Sequence, residues 1–241
     1  MKKAKEYLIF PLDVSTYDEA IRYVELLNEH VGIFKVGLEL FVSVGPKILS
    51  AIKERSDAGI FLDLKFHDIP ATVKGAFLAA DTHGVTFTTV HCDEGKDLLR
   101  SVVESNPSGV KILAITVLTS LDSNNLKDLG YNNRYSADIT ELVMLKARMA
   151  KEAGCSGVVC SGLEVKKVKA ELGKDFIAVT PGIRPQWSVV GKDDQKRIIT
   201  PDQAIQRGAD YIVVGRPIRN AERPAEAAKR VLNDIESAIS Q

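Results

Sequence analysis

Eight short apolar or β-branched runs recur along the chain, each followed by a longer segment whose apolar residues fall at helical spacing. The runs are Tyr7–Asp13, Gly32–Leu38, Gly59–Lys65, Val85–His91, Lys111–Leu118, Ser156–Ser161, Phe176–Gly182 and Tyr211–Gly215. Over 241 residues this is one unit per roughly 30, the size of a βα repeat. No hairpin turn signal joins consecutive runs, so the strands should lie parallel. Eight such units predict a closed (β/α)8 TIM barrel, an α/β fold with one domain over residues 1–241. An open doubly wound sheet is the competing arrangement, but the first turn, DVSTYDEA, lacks the G-x-G-x-x-G that would cradle a pyrophosphate.

The segments between the runs carry helix punctuation. Thr16 with Glu19 reads as a capping box, followed by a stripe of Ala20, Val24 and Leu27. Leu142, Leu145, Met149 and Ala153 form a second stripe, and Ala228, Val231, Leu232, Ile235 and Ile239 mark the last helix. Gly84, Gly154, Gly173 and Gly208 each stand shortly before an expected strand, where a helix C-terminal glycine belongs.

Charge restricts the partners. Lys plus Arg number 32 and Asp plus Glu number 32, so no global basic field draws nucleic acid or an anionic membrane surface. Even the uncharged stretch Thr82–Cys92 is 11 residues long, short of the roughly 20 that a membrane span needs. The apolar run near the start meets Pro11 and Asp13 too soon for a signal peptide. The three cysteines, Cys92, Cys155 and Cys160, lack C-x-x-C spacing. The expectation is a cytoplasmic protein with reduced thiols.

In a barrel the reactive end is the C-terminal end of the strands. There the sequence places Asp13, Lys35, Asp63, Lys65, His91, Thr119, Arg184 and Arg216. Asp63 and Lys65 are two apart on one strand and share a face, with Leu62, Leu64 and Phe66 on the other. An inward ion pair costs desolvation that an aliphatic pair avoids, so its place at this end points to chemistry. Lys35 either joins this pair as a Lys, Asp, Lys cluster or snorkels to the rim. Asp68 lies beyond the strand with Pro70 close behind, and capping the next helix is an equal alternative to a role in the site.

PGIRP at Pro181–Pro185 and GRPI at Gly215–Ile218 put glycine and arginine after the last two strands, the position of the phosphate site in many barrels. Glycine lets backbone N–H groups approach an anion and arginine offers a bidentate fork, so a phosphorylated small substrate is expected. The connection Gln186–Thr200 has no helical stripe and reads as a mobile lid, with Gln195 either reaching a phosphate or simply solvated. His67, His83 and His91 show no credible ligand spacing, so no metal is expected. His91 reads most simply as a histidine bonded to backbone.

At DLKFHDIPATV, Asp63–Val73, the chain closely resembles the orotidine 5′-phosphate decarboxylase family. LDV at 12–14, FKVGLELF at 34–41, VLTSLD at 117–122, VTPGIRP at 179–185 and GADYIVVGRPI at 208–218 are similar to that family in order and spacing. Ala71 departs from the Asn of many members. The resemblance implies decarboxylation of orotidine 5′-phosphate to UMP without metal or cofactor. It assigns Asp13 to the ribose, Lys35, Asp63, Lys65 and Asp68 to a charge network, and Thr119 to the pyrimidine. Arg184, Gln195, Gly215 and Arg216 go to the phosphate and lid. It further implies a homodimer in which Asp68, Ile69 and Thr72 enter the neighbouring site. Lys65 becomes the general acid that protonates C6.

Two other readings fit the same residues. Relatives sharing D-x-K-x-x-D are sugar-phosphate decarboxylases and aldolases that use Mg²⁺, against which the contexts of Asp13, Lys35 and PGIR argue. A catalytically silent nucleotide-binding barrel would need the arginines but not two inward lysines and two aspartates.

Overall fold

The computed structural model describes residues 2–188 and 197–240. Eight parallel strands close into a barrel in chain order: β1 Leu8–Pro11, β2 Ile33–Gly37, β3 Gly59–Phe66, β4 Phe87–His91, β5 Lys111–Ile115, β6 Gly157–Val159, β7 Ile177–Thr180 and β8 Tyr211–Val213. Seven lie inside one of the eight apolar runs, and β3 runs one residue past its own, to Phe66. β1 closes on β8 through Leu8 opposite Ile212 and Ile9 opposite Val213. Among the described residues no helix is long and apolar enough to cross a membrane.

The strands divide their side chains between two apolar regions because successive residues point to opposite faces. Leu8, Phe10, Phe34, Val36, Ile60 and Leu62 point outward and pack under the helices in one large buried core. Ile9, Ile33, Phe61, Phe87, Leu113 and Val179 point inward and fill the barrel. Edge-to-face contacts of Phe87 with Phe61 at 5.8 Å and with Tyr211 at 5.0 Å stiffen this inner plug. Two residues further along the strands the inward positions change character. Ile33 gives way to Lys35, Phe61 to Asp63 and Phe87 to Thr89. The apolar plug is therefore the floor of the polar mouth.

The helix signals hold with two amendments. Thr16 caps the helix Tyr17–Leu27 by accepting from the Glu19 backbone N–H at 3.3 Å, but the reciprocal half of the box is absent. In the helix Ile139–Glu152 the buried residues are Leu142, Val143, Met144, Lys146, Ala147 and Ala150, while Leu145 and Met149 flank them half-buried. The stripe read from the sequence was rotated because a lysine occupies the centre of the buried face. Its ammonium bonds Asp93 at 2.5 Å and the Thr116 carbonyl at 2.9 Å. The four glycines before strands all have positive φ, from +56° at Gly84 to +96° at Gly208.

Candidate active site

The mouth of the barrel holds a cavity of about 620 Å³, lined among others by Asp13, Lys35, Asp63, Lys65, Thr119, Arg184, Gly215 and Arg216. Eight of the sequence-derived site residues therefore meet in one place. At its centre is a charge cluster built by three adjacent strands. The Lys35 ammonium lies 3.3 Å from Asp13 Oδ1 and 3.5 Å from Asp63 Oδ2. Lys65 Nζ lies 2.9 Å from the same Asp63 oxygen. Register explains the meeting, since Lys35 pairs with Phe61 and Gly37 with Asp63. Lys35 is 13% exposed, so it does not snorkel to the rim.

Each buried charge is held ionised by its neighbours. Burial alone would push the Lys35 ammonium down, but Asp63 and Asp13 outweigh it and raise its pKa above the ordinary lysine value. Burial would likewise push Asp63 up. Lys35, Lys65 and hydrogen bonds from Lys65 and Thr89 instead hold its carboxyl below the usual range.

Asp63 and Lys65 share the mouth as alternation predicts, and Leu62, Leu64 and Phe66 pack in the outer core. Alternation does not predict the bulge between them. Pairing with β4 steps from Leu62 opposite Thr88 to Phe66 opposite Val90, four residues against two. Lys65 within the bulge has φ +51°, the only positive φ of a non-glycine among the described residues. That conformation costs about 1–3 kcal/mol. Thr89, which sequence reasoning missed, holds it: its Oγ1 accepts from the Lys65 N–H at 2.9 Å and donates to Asp63 Oδ1 at 3.0 Å. The only signal was its position two residues after Phe87 on an inward face.

Across the cavity, Arg184 follows β7 and Arg216 follows β8, as the two Gly-Arg segments predict. Gly215 fits there because a Cβ would come within 2.9 Å of Pro11 Cγ. Glu39, Ser120 and Arg219 also line the mouth and were not foreseen.

Three expected residues lie elsewhere. Asp68, Ile69 and Thr72 are exposed and none lines this mouth. Asp68 is no helix cap: Ile69 is the N-cap of the helix Pro70–Asp81, and Asp68 Oδ1 merely accepts from the Ile69 N–H at 2.7 Å. Gln195 lies outside the described residues. The segment read as a lid is partly anchored. Gln186–Ser188 forms a 3-10 turn, and Arg197 is buried, 2.7 Å from Glu164 and donating to the carbonyls of Val117 at 2.9 Å and Leu118 at 3.3 Å. An arginine in a polar stretch reads as solvated, so this stem was invisible in the sequence.

The histidines also depart from expectation. His83 stands apart, its carbonyl accepting from Lys53 at 2.5 Å. His67 and His91 converge with Asp93, and His91 faces that carboxylate rather than backbone.

The model of the family described as "Orotidine 5'-phosphate decarboxylase / HUMPS family" matches residues 6–231. The chain is 50% identical over 236 residues to the orotidine 5'-phosphate decarboxylase of Desulfosudis oleivorans, covering 98% of this chain and 95% of that protein. It is 45% identical to the protein of the same name from Gloeothece citriformis, covering 95% of this chain and 97% of that one. The crystal structure of orotidine 5'-phosphate decarboxylase from Lactobacillus acidophilus superposes with a TM-score of 0.79 at 36% identity, covering 95% of this chain and 98% of that one.

Proposed function

The chain belongs to the orotidine 5′-phosphate decarboxylase / HUMPS family, and from that premise we propose that its barrel mouth converts orotidine 5′-phosphate to UMP and carbon dioxide. The protein is a carboxy-lyase of pyrimidine synthesis. The observation that carries the assignment to this site is the Lys35, Asp13, Asp63, Lys65 cluster facing Arg184 and Arg216 across one cavity.

The reaction breaks the bond between C6 of the pyrimidine and its carboxylate, and the electron pair stays on C6. Lys65 places an ammonium beside that developing charge, stabilises it electrostatically and then donates the proton that makes the C6–H bond. Asp63 accepts from Lys65 and fixes its ammonium. Asp13 and Lys35 hold the ribose, Thr119 borders the pyrimidine, and Arg184, Arg216, Gly215 and Gln195 take the phosphate. Binding energy at the phosphate, remote from C6, supports turnover by fixing the productive pose. No metal or cofactor is needed for this sequence of steps.

Asp68, Ile69 and Thr72 complete the site of a second copy in a homodimer. Their exposure, including Ile69 at 66%, supports this reading, because an apolar side chain there gains by being covered. A cytoplasmic location accords with the substrate class.

The ultraviolet change as orotidine 5′-phosphate becomes UMP tests both levels. Wild type should turn over without added Mg²⁺, while Lys65→Ala loses on the order of 10²–10⁴-fold or more and still binds UMP. Mixing Lys65→Ala with Asp68→Ala should recover activity that neither has alone. Absence of conversion, with Mg²⁺-dependent activity on a sugar phosphate instead, would refute the assignment.

A further inference from the structure

The ends of β3 and β4 carry a second group of chemistry-bearing side chains that the decarboxylation does not use. His67 lies two residues past Lys65 and His91 closes β4, and their rings stand 4.8 Å apart at 31°. His67 Nε2 is 2.5 Å from Glu94 Oε1, and His91 Nδ1 is 2.6 Å from Asp93 Oδ2. One ligand-capable atom each from His67, His91 and Asp93 lies within 4.8 Å of the others.

These two pairs leave Glu94 Oε2 buried without a hydrogen-bond partner. A buried acceptor without a donor is costly, and more so when it is charged. A divalent ion at this point is balanced by the two carboxylates and gives that oxygen a partner.

We propose that His67, His91, Asp93 and Glu94 form a binding site for one divalent ion of the Zn²⁺ class. Two imidazoles with carboxylates suit Zn²⁺ or Co²⁺ better than Mg²⁺, which prefers an all-oxygen shell. The outer contacts fit a ligand set. The second oxygen of Asp93 is held at 2.5 Å by Lys146, which also donates to the Thr116 carbonyl at 2.9 Å, so Asp93 is oriented from behind. His67 is 54% exposed in its side chain, which leaves a route in from solvent. None of the four residues lines the mouth, so the ion takes no part in the reaction. Its place is structural: it ties the connection bearing Asp68 and Ile69 to the connection after β4.

The test uses the full chain, stripped with chelator, dialysed and titrated with Zn²⁺ in a calorimeter. A parallel titration with Co²⁺ is followed by visible absorption. One ion per chain should bind, with a cobalt spectrum of nitrogen and oxygen ligation and a higher melting temperature in Zn²⁺. His67→Asn and Glu94→Gln should each weaken binding at least about tenfold, with unchanged circular dichroism. Should Glu94→Gln fail to fold, the exposed His67 variant decides alone. No uptake by wild type, uptake undiminished in the variants, or a sulfur charge-transfer band in the cobalt spectrum would each overturn the site.

Discussion

Two buried carboxylates, Asp63 in the mouth and Glu164 under the loop after β6, each pair with a cation, yet their proton affinities move in opposite directions. Burial pushes both upward. At Asp63 the two lysines outweigh it and the pKa falls. At Glu164 the single guanidinium of Arg197 does not, and the pKa rises. Contacts differ accordingly: Asp63 takes Lys35, Lys65 and the Thr89 hydroxyl, whereas Glu164 Oε2 and Arg197 Nε are buried without a hydrogen-bond partner. The lesson is one of stoichiometry. A pair that holds a loop stem needs one cation, while a site that must keep an ammonium charged and aimed surrounds its carboxylate with more positive charge than balance requires.

Breaking the comparison at Asp63 should have the largest effect. Asp63→Asn leaves two lysines without their shared carboxylate, and turnover should fall on the order of 10²–10³-fold. The alkaline limb of the rate profile should also move to lower pH, because Asp63 is the strongest group raising Lys35. A pH–rate profile of the variant checks both, and an unmoved alkaline limb would remove Lys35 from the account.

Next comes Arg197→Met, which strands Glu164 in the interior and should destabilise the fold by about 3 kcal/mol in denaturant titration. Because Arg197 also donates to the carbonyls of Val117 and Leu118, the rim beside Thr119 should loosen and KM rise more than kcat falls. A change confined to kcat would mean that the stem contacts the reacting atoms.

The smallest effect is expected at Glu164→Gln, about 1 kcal/mol at neutral pH, since Gln still accepts from Arg197. Its pH signature is sharper than its size. A raised carboxylate pKa means that the fold binds the proton more readily than the open chain does, so stability from this group grows as pH falls from neutral toward 4.5. Wild type should therefore gain on Glu164→Gln over that window. At Asp63 the sign reverses: its depressed pKa stabilises above 3.8 and that contribution is lost as pH falls below it. Parallel curves for Glu164→Gln and Asp63→Asn against wild type would dissolve the contrast.

The mouth was readable because its charges interrupt apolar runs. Lys35 and Asp63 stand inside strands, where a charge is conspicuous, and the glycine-arginine segments stand where the barrel puts anions. Thr89, Lys146, Glu164 and Arg197 were not readable. A threonine in a strand is ordinary, and a lysine, glutamate or arginine in a helix or polar loop looks solvated. His67 and His91 were each visible as histidines, but they stand 24 residues apart in the chain and only strand adjacency unites them.

By itself the sequence determined the barrel, its eight strands, and the placing of Asp13, Lys35, Asp63, Lys65, Arg184 and Arg216 at its mouth, because periodicity and side-chain alternation are local properties of the chain. Tertiary structure alone decided the bulge that turns Lys65, the hydroxyl that holds it, the buried lysine and arginine behind the rim, and the meeting of His67 with Glu94. These depend on register between strands and on which polar groups are sealed from water, and neither is written in the spacing of residues along one segment.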